Sequence, residues 1–263
     1  MSEPRGAGTT WDPGQYEKFA GERLRPALEL AARVGHAAPG TVYDLGCGTG
    51  EGTRLLAERW PGASVTGVDH SAEMIEKAQA TPGRVRWIRG DLRDWRPDGA
   101  ADVLFSNATL HWIDDHERLF PRLLGWLAPD GWLAVQMPLS WGAPSHRLMR
   151  ETLADLRLGS AELGASLARD WVLPADRYYD LLSPRARAVD LWETEVLQTL
   201  RGEDPVLAWV KGTGLRPVLH GLDEADRGVF LAEYARRLRD AYPRRADGVT
   251  LFPFRRLFLV ARV

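Results

Sequence analysis

Asp44, Gly46, Gly48 and Gly50 share one short run, Val42-Tyr43-Asp44-Leu45-Gly46-Cys47-Gly48-Thr49-Gly50, spaced like a nucleoside-binding turn. The run reads as an apolar strand with an acid near its end, then alternating glycines, then a helix. Glycines in that place let backbone approach a ligand, and the helix N-terminus beside them offers unpaired N–H groups. The pattern differs from the Gly-x-Gly-x-x-Gly of dinucleotide sites. Asp44 would also repel a pyrophosphate, whereas it could order the loop and draw in a cation. The arrangement favours S-adenosylmethionine, with its sulfonium and ammonium groups, over NAD. Cys47 has two readings, a nucleophile or a small side chain packed beneath the loop, the commoner fate of cysteine.

Two more acids follow. Asp69 lies 19 residues past Gly50, where a carboxylate can accept both ribose hydroxyls. The plainer reading is a turn former or cap for the next helix. His70 adjoins it on the cofactor side, and Met74 can pack on an adenine or belong to the core. Asp91-Leu92 ends a third apolar segment, where a carboxylate can accept from an adenine amino group. Asn107, Leu110, His111 and Trp112 follow a fourth, the position that meets both cofactor and acceptor. His111 is open to three readings: a general base, a hydrogen-bond donor to an anion, or an idle surface histidine. Trp112 reads as a pocket wall.

The elements that would hold these residues alternate. Strand-like segments at Thr41–Leu45, Ser64–Asp69, Val85–Gly90, Asp102–Ser106 and Trp132–Met137 are separated by helical ones at Glu51–Arg59, Ser71–Ala80 and near Glu117–Leu127. The alternation predicts an α/β fold, a Rossmann-like doubly wound sheet that binds ligands at the carboxyl ends of its strands. Asp44, Asp69, Asp91 and Asn107 all fall at or just past such ends. Tyr16–Val34 is helical but interrupted by Pro26, which predicts a kink or two helices. Ser145 to about Leu182 reads as irregular helix and Asp190–Leu197 as a further strand. Pro205–Gly212 and Glu224–Tyr242 read as helices, and Phe252–Val263 as a buried final strand. The expected organisation is one structural domain. It has an N-terminal tail and lid helices over 1–34, a cofactor-binding core over 35–144 and a helical cap over 145–188. The rest of the sheet, with inserted helices, spans 189–263.

Composition narrows the class. At 263 residues, 44% hydrophobic and 27% charged, the chain suits a globular protein with a substantial core. A formal charge of −2 leaves no basic footprint, so nucleic acid is not an expected partner. No apolar run is long enough to span a bilayer, so no membrane is expected either. Met1 to Thr10 is polar and glycine-rich and reads as a frayed tail. Cys47 is the only cysteine, which excludes an internal disulfide and fits a reducing cytoplasm.

Further runs join the glycine turn. They are Trp11-Asp12-Pro13 with Tyr16, Phe19, Arg23, Arg25 and Pro26; Asp91 to Trp95; Asn107-Ala108; Leu133 to Pro138; Tyr178-Tyr179-Asp180; Thr213 to Pro217; and Phe254 to Phe258. Together they resemble class I S-adenosylmethionine-dependent methyltransferases, and within them the branch that acts on trans-aconitate. The resemblance runs from Trp11 almost to Val263. It implies a sheet of about seven strands with the last antiparallel, S-adenosylmethionine as cofactor, and O-methylation of a small polycarboxylic acid, trans-aconitate foremost, to a monomethyl ester. Two departures touch the acceptor side. Val196, Leu197 and Gln198 stand where the family has an aromatic-then-histidine pattern, and Leu139-Ser140 replaces a more polar pair.

For such an acceptor the chemistry is spare. A carboxylate with a pKa near roughly 4 is already ionised at neutral pH, so neither a base nor a metal is needed. Rate would come from holding oxygen, methyl and sulfur in line, about 3 Å apart. Recognition of the remaining carboxylates falls to arginine, whose planar fork pairs with them bidentately. Arg23, Arg25, Arg216, Arg255 and Arg256 lie in the runs that carry the resemblance, and Arg216 and Arg255 have apolar neighbourhoods. Each also has the plain reading of a surface charge or a snorkelling stem. Tyr16 and Arg23 are assigned to the cofactor side beneath an N-terminal lid. Arg25, His111, Trp141, Tyr179, Arg216 and Arg255 are assigned to the acceptor side. Two other functions stay open: a methyltransferase for a phenol, quinone or amine with His111 as base, and a non-catalytic S-adenosylmethionine-binding module.

Overall fold

The computed structural model describes residues 24–212 and 214–263, so Tyr16, Arg23, Thr213 and most of the expected lid lie outside the described residues. Five strands run parallel: β1 (Thr41–Leu45), β2 (Ser64–Asp69), β3 (Arg86–Arg89), β4 (Ala101–Asn107) and β5 (Leu127–Pro138). With β6 (Ala188–Arg201) and β7 (Val249–Arg262) they form a seven-stranded sheet in the order β3-β2-β1-β4-β5-β7-β6. The last strand is antiparallel to both its neighbours, as expected. Helices α1 (Arg25–Arg33), α2 (Glu51–Arg59), α3 (Ala72–Gln79) and α4 (His116–Leu124) flank the parallel half. A 3-10 turn, Leu110–Trp112, follows β4.

Side-chain alternation along the strands builds two cores. Tyr43, Leu45, Leu104, Leu133 and Leu257 face α4, with Phe120 buried among them. Val42, Val103, Phe105, Ala134 and Phe258 face the other way, against Leu30 of α1 and Leu56 of α2. Pro26 stands in the first turn of α1, where its missing N–H costs nothing, so it starts that helix and does not kink it.

The remaining helices are α5 (Pro144–Leu156), α6 (Ala161–Leu167), α7 (Ala175–Leu182), α8 (Pro205–Lys211), α9 (Arg216–Gly221) and α10 (Glu224–Ala241). α9 was not legible as a separate helix. Met149 and Leu153 of α5, Val210 of α8, Val218 of α9 and Phe230 and Tyr234 of α10 share a third core with Phe252. α5 and α6 thus share one helical layer with α8, α9 and α10, while Tyr178 and Leu182 of α7 pack into the first core. β6 and β7 are longer than the sequence suggests because they continue past the rest of the sheet. β5 stops at Pro138 opposite Arg256, while the β6–β7 ladder runs on to Arg201 opposite Val249. That extension stands above the carboxyl edge, where Asp44, Asp69, Asn107 and Gln136 lie. No described helix is long and apolar enough to cross a membrane.

Candidate active site

The glycine turn is held from below. Gly46 and Cys47 N–H both donate to Val68 O, at 2.7 and 3.0 Å, which ties the turn to β2. Gly46, Gly48 and Gly50 have φ of 81°, 54° and 83°, left-handed values that favour glycine. Their surroundings differ. A Cβ on Gly46 would lie 2.0 Å from Thr109 Cγ2 and one on Gly50 2.3 Å from Trp87, yet one on Gly48 would meet nothing within 4 Å. Packing demands the outer two, and the middle one faces open space. Cys47 is buried, and burial followed by the charges of Asp44 and Asp69 pushes its thiol far up, so it packs as a neutral group.

The acids are not alike. Asp44 is 3% exposed and accepts from Thr53 Oγ1 at 2.6 Å. Burial, against the pull of that hydrogen bond, pushes it up to about 7. Asp69 accepts from Ser71 N–H and from Gly48 N–H, both at 2.9 Å. It therefore forms the turn and ties it to the glycine loop, and each carboxylate oxygen keeps a lone pair for another donor. Asp91 is exposed and lies below the usual range, first because Arg93 N–H donates to it at 2.9 Å. His70 is exposed beside Asp69, and Met74 is half-buried with its N–H capped by Ser71 Oγ. Leu92 has its side chain in the core, so only its backbone can face a ligand.

Across the edge, partnerless polar atoms gather. Asn107 of β4 sits in register with Gln136 of β5, and Arg256 of β7 lies beside them. Arg256 is 6% exposed, stacks 4.5 Å from the Phe254 ring and donates from Nη1 to Gln136 Oε1 at 3.3 Å. Burial lowers it to about 10, and Glu29 counters without forming an ion pair. Arg256 Nε, Gln136 Nε2, Asn107 Oδ1 and His111 Nδ1 are all buried without a hydrogen-bond partner. Native proteins seldom leave such groups unmet unless a ligand or water meets them. Burial, then His146, His116 and Arg256, push His111 down to about 3, so its ring is neutral near pH 7.

Comparison with known proteins decides the family. A methyltransferase domain model matches residues 42–131. Trans-aconitate 2-methyltransferase of Azoarcus sp. (strain BH72) is 49% identical over 96% of this chain and 98% of its own. That of Streptomyces coelicolor is 48% identical over 96% of this chain and 86% of its own. The chain belongs to the trans-aconitate 2-methyltransferase family. Among solved structures, phosphoethanolamine N-methyltransferase 2 of Haemonchus contortus, with phosphomonomethylethanolamine and S-adenosylhomocysteine, shares the fold. Its TM-score is 0.54 at 17% identity, over 94% of this chain and 56% of that one.

The acceptor-side residues that the sequence suggests for this family member do not all converge. Arg25 is exposed and pairs with Glu29 at 2.9 Å, beside a cavity of about 110 Å³ that Gln198 and Arg256 also line. Arg255 projects from the opposite face to Arg256 and pairs with Glu193. Arg216, Trp112 and Tyr179 are exposed. A cavity of about 910 Å³ includes Trp141 and Arg255 in its lining, but not Asp44, Asn107, His111 or Arg256. Gln136 escaped sequence reasoning as a site residue. It stands near the end of β5 in an apolar run, Leu133 to Pro138, that the sequence marks only as a strand and for the family resemblance.

Proposed function

We propose that this methyltransferase uses S-adenosylmethionine to methylate one carboxylate of a small polycarboxylic acid, trans-aconitate, giving a monomethyl ester. The observation that carries the reading is Arg256, a buried guanidinium with no carboxylate partner among the described residues. A buried charge left unpaired is costly, so a fold that keeps one is built for an anion that arrives with the ligand. Gln136, Asn107 and His111 supply hydrogen-bonding atoms beside it, and the neutral His111 ring suits binding better than base catalysis.

The residues of the turn fit the donor. Gly48 leaves room for it, Asp69 has lone pairs for ribose hydroxyls, exposed Asp91 can accept from the adenine amino group, and Met74 can pack on the ring. Asp44 answers the ammonium group. When bound, the donor supplies an electrophilic methyl on a cationic sulfonium. The protein's part is to hold the acceptor oxygen in line, to exclude water, and to neutralise the carboxylates that do not react. No proton need be taken from an ionised acid.

The division into an N-terminal lid, a cofactor core and a helical cap belongs to the same reading, which assigns Tyr16 and Arg23, outside the described residues, to the donor. A lone buried cysteine and the near-neutral charge support action in the cytoplasm without nucleic acid. Incubation with S-adenosylmethionine and a panel of di- and tricarboxylates, with mass spectrometry of the products, tests the function. A methyl ester of trans-aconitate is expected; methylation of phenols or amines and of no acid would overturn it.

A further inference from the structure

Arg150 lies on α5, half-buried, and its contacts parallel those of Arg256. Its guanidinium stacks 4.2 Å from the Trp141 ring centroid and donates from Nη2 to Trp141 O at 3.1 Å. Its Nη1 is buried without a partner, and no carboxylate of the described residues pairs with it. Burial lowers its pKa against the pull of Asp170 and Glu151, neither of which forms an ion pair with it. Both arginines are thus braced by an aromatic ring and one amide-type oxygen, with an N–H left over.

They are linked through neighbours, for Arg150 acts on His146 and His146 on His111. Trp141 follows Gln136, the partner of Arg256, by five residues, a span of at most about 17 Å of chain. His146 stands one helical turn before Arg150, on the same face of α5. His146 and Arg256 both act on His111. Elsewhere, partly buried Arg237 is satisfied by Asp155 and Glu233.

We infer that Arg150 is a second carboxylate-recognising residue of the acceptor site. Arg256 and Arg150 each read one carboxylate, and a third reacts. This deepens the proposed function and rests on it, for it makes the enzyme select tricarboxylates over dicarboxylates. The alternate use of Arg150, holding Trp141 in place, predicts no such selection.

The experiment compares wild type, Arg150→Gln and Arg150→Lys on trans-aconitate and on mesaconate, glutaconate and itaconate, each of which lacks a different one of its three carboxylates. Arg150→Gln is expected to lower kcat/KM for trans-aconitate about 100-fold, mostly through KM. For the truncated acid that lacks the carboxylate read by Arg150, the loss is at most about threefold. S-adenosylmethionine affinity, by calorimetry, stays unchanged. Arg150→Lys, which keeps the charge and the stem should the glutamine variant fold poorly, recovers part of the discrimination. Equal losses on every acid of the panel that is turned over, or no loss on trans-aconitate, overturn the inference. A wild-type enzyme that methylates none of the four overturns the proposed function instead.

Discussion

The hydroxyl of Tyr178 donates to Nδ1 of His116 at 2.5 Å, and both residues are buried. The pair belongs to a longer chain. Leu173 N–H donates to Tyr178 Oη at 3.1 Å, and His116 Nε2–H donates to Leu110 O at 3.0 Å. A carbonyl can only accept, so the proton of the neutral ring sits on Nε2 and Nδ1 takes the tyrosine proton. Burial lowers the His116 pKa, which keeps the ring neutral. The chain fastens α7 and the loop before it to the turn that carries His111.

Tyr178→Phe leaves His116 Nδ1 and Leu173 N–H unmet in a closed core. The expected cost is about 1–3 kcal/mol of stability, read from urea unfolding midpoints. Tyr179→Phe, at an exposed neighbour, should stay within about 0.5 kcal/mol. Equal midpoints for the two variants would show that the chain contributes nothing.

Asp44 gives a pH signature. Its carboxyl titrates near 3.8 in an unfolded chain and near 7 in the fold, because burial disfavours the charge. The protonated form is thus favoured by folding. Its contribution to stability is full below 3.8 and is lost as pH rises to about 7. A cationic donor reverses this by favouring the carboxylate, so binding releases a proton. Donor affinity should rise with pH up to about 7 and then level off, whereas Asp44→Asn binds more weakly with a flat profile. Calorimetry in buffers of different ionisation enthalpy reads the proton release directly.

The glycine turn separates packing from binding. Gly46→Ala drives its Cβ to 2.0 Å from Thr109, while Gly48→Ala meets no atom within 4 Å; both carry the cost of a positive φ. Gly48→Ala should lose about 1–2 kcal/mol of stability and most of its donor affinity. Gly46→Ala should lose more stability than Gly48→Ala in the same thermal melt. A Gly48→Ala enzyme with wild-type donor affinity would remove the donor from that face of the turn.

The cofactor half was legible because its signals are local. An acid before alternating glycines, and further acids at or just past the ends of two later strands, need only the β/α alternation to bring them together. The acceptor half was not, because register assembles it. Arg255 and Arg256 are neighbours in sequence, yet strand alternation sends one to Glu193 and the other to Gln136. Only the pairing of β7 with β5 tells which arginine is buried. Tyr178 and Tyr179 divide in the same way on α7, one in the core and one in solvent. Arg150 declares itself only through the Trp141 ring that the fold sets beneath it.

Arg256 sets stability against function. Its buried charge has an amide oxygen and a Phe254 face for company but no counter-ion among the described residues. Arg256→Met keeps the stem volume and removes the charge. The variant should therefore be as stable as wild type or more so, by about 1 kcal/mol, in urea unfolding. Its donor affinity should not change, since the glycine turn is untouched. Activity on trans-aconitate should fall at least about 100-fold, because the arriving carboxylate meets Gln136 and Asn107 without a cation. A destabilised Arg256→Met that still turns over would mean that the guanidinium serves the fold, and that the acceptor is read elsewhere.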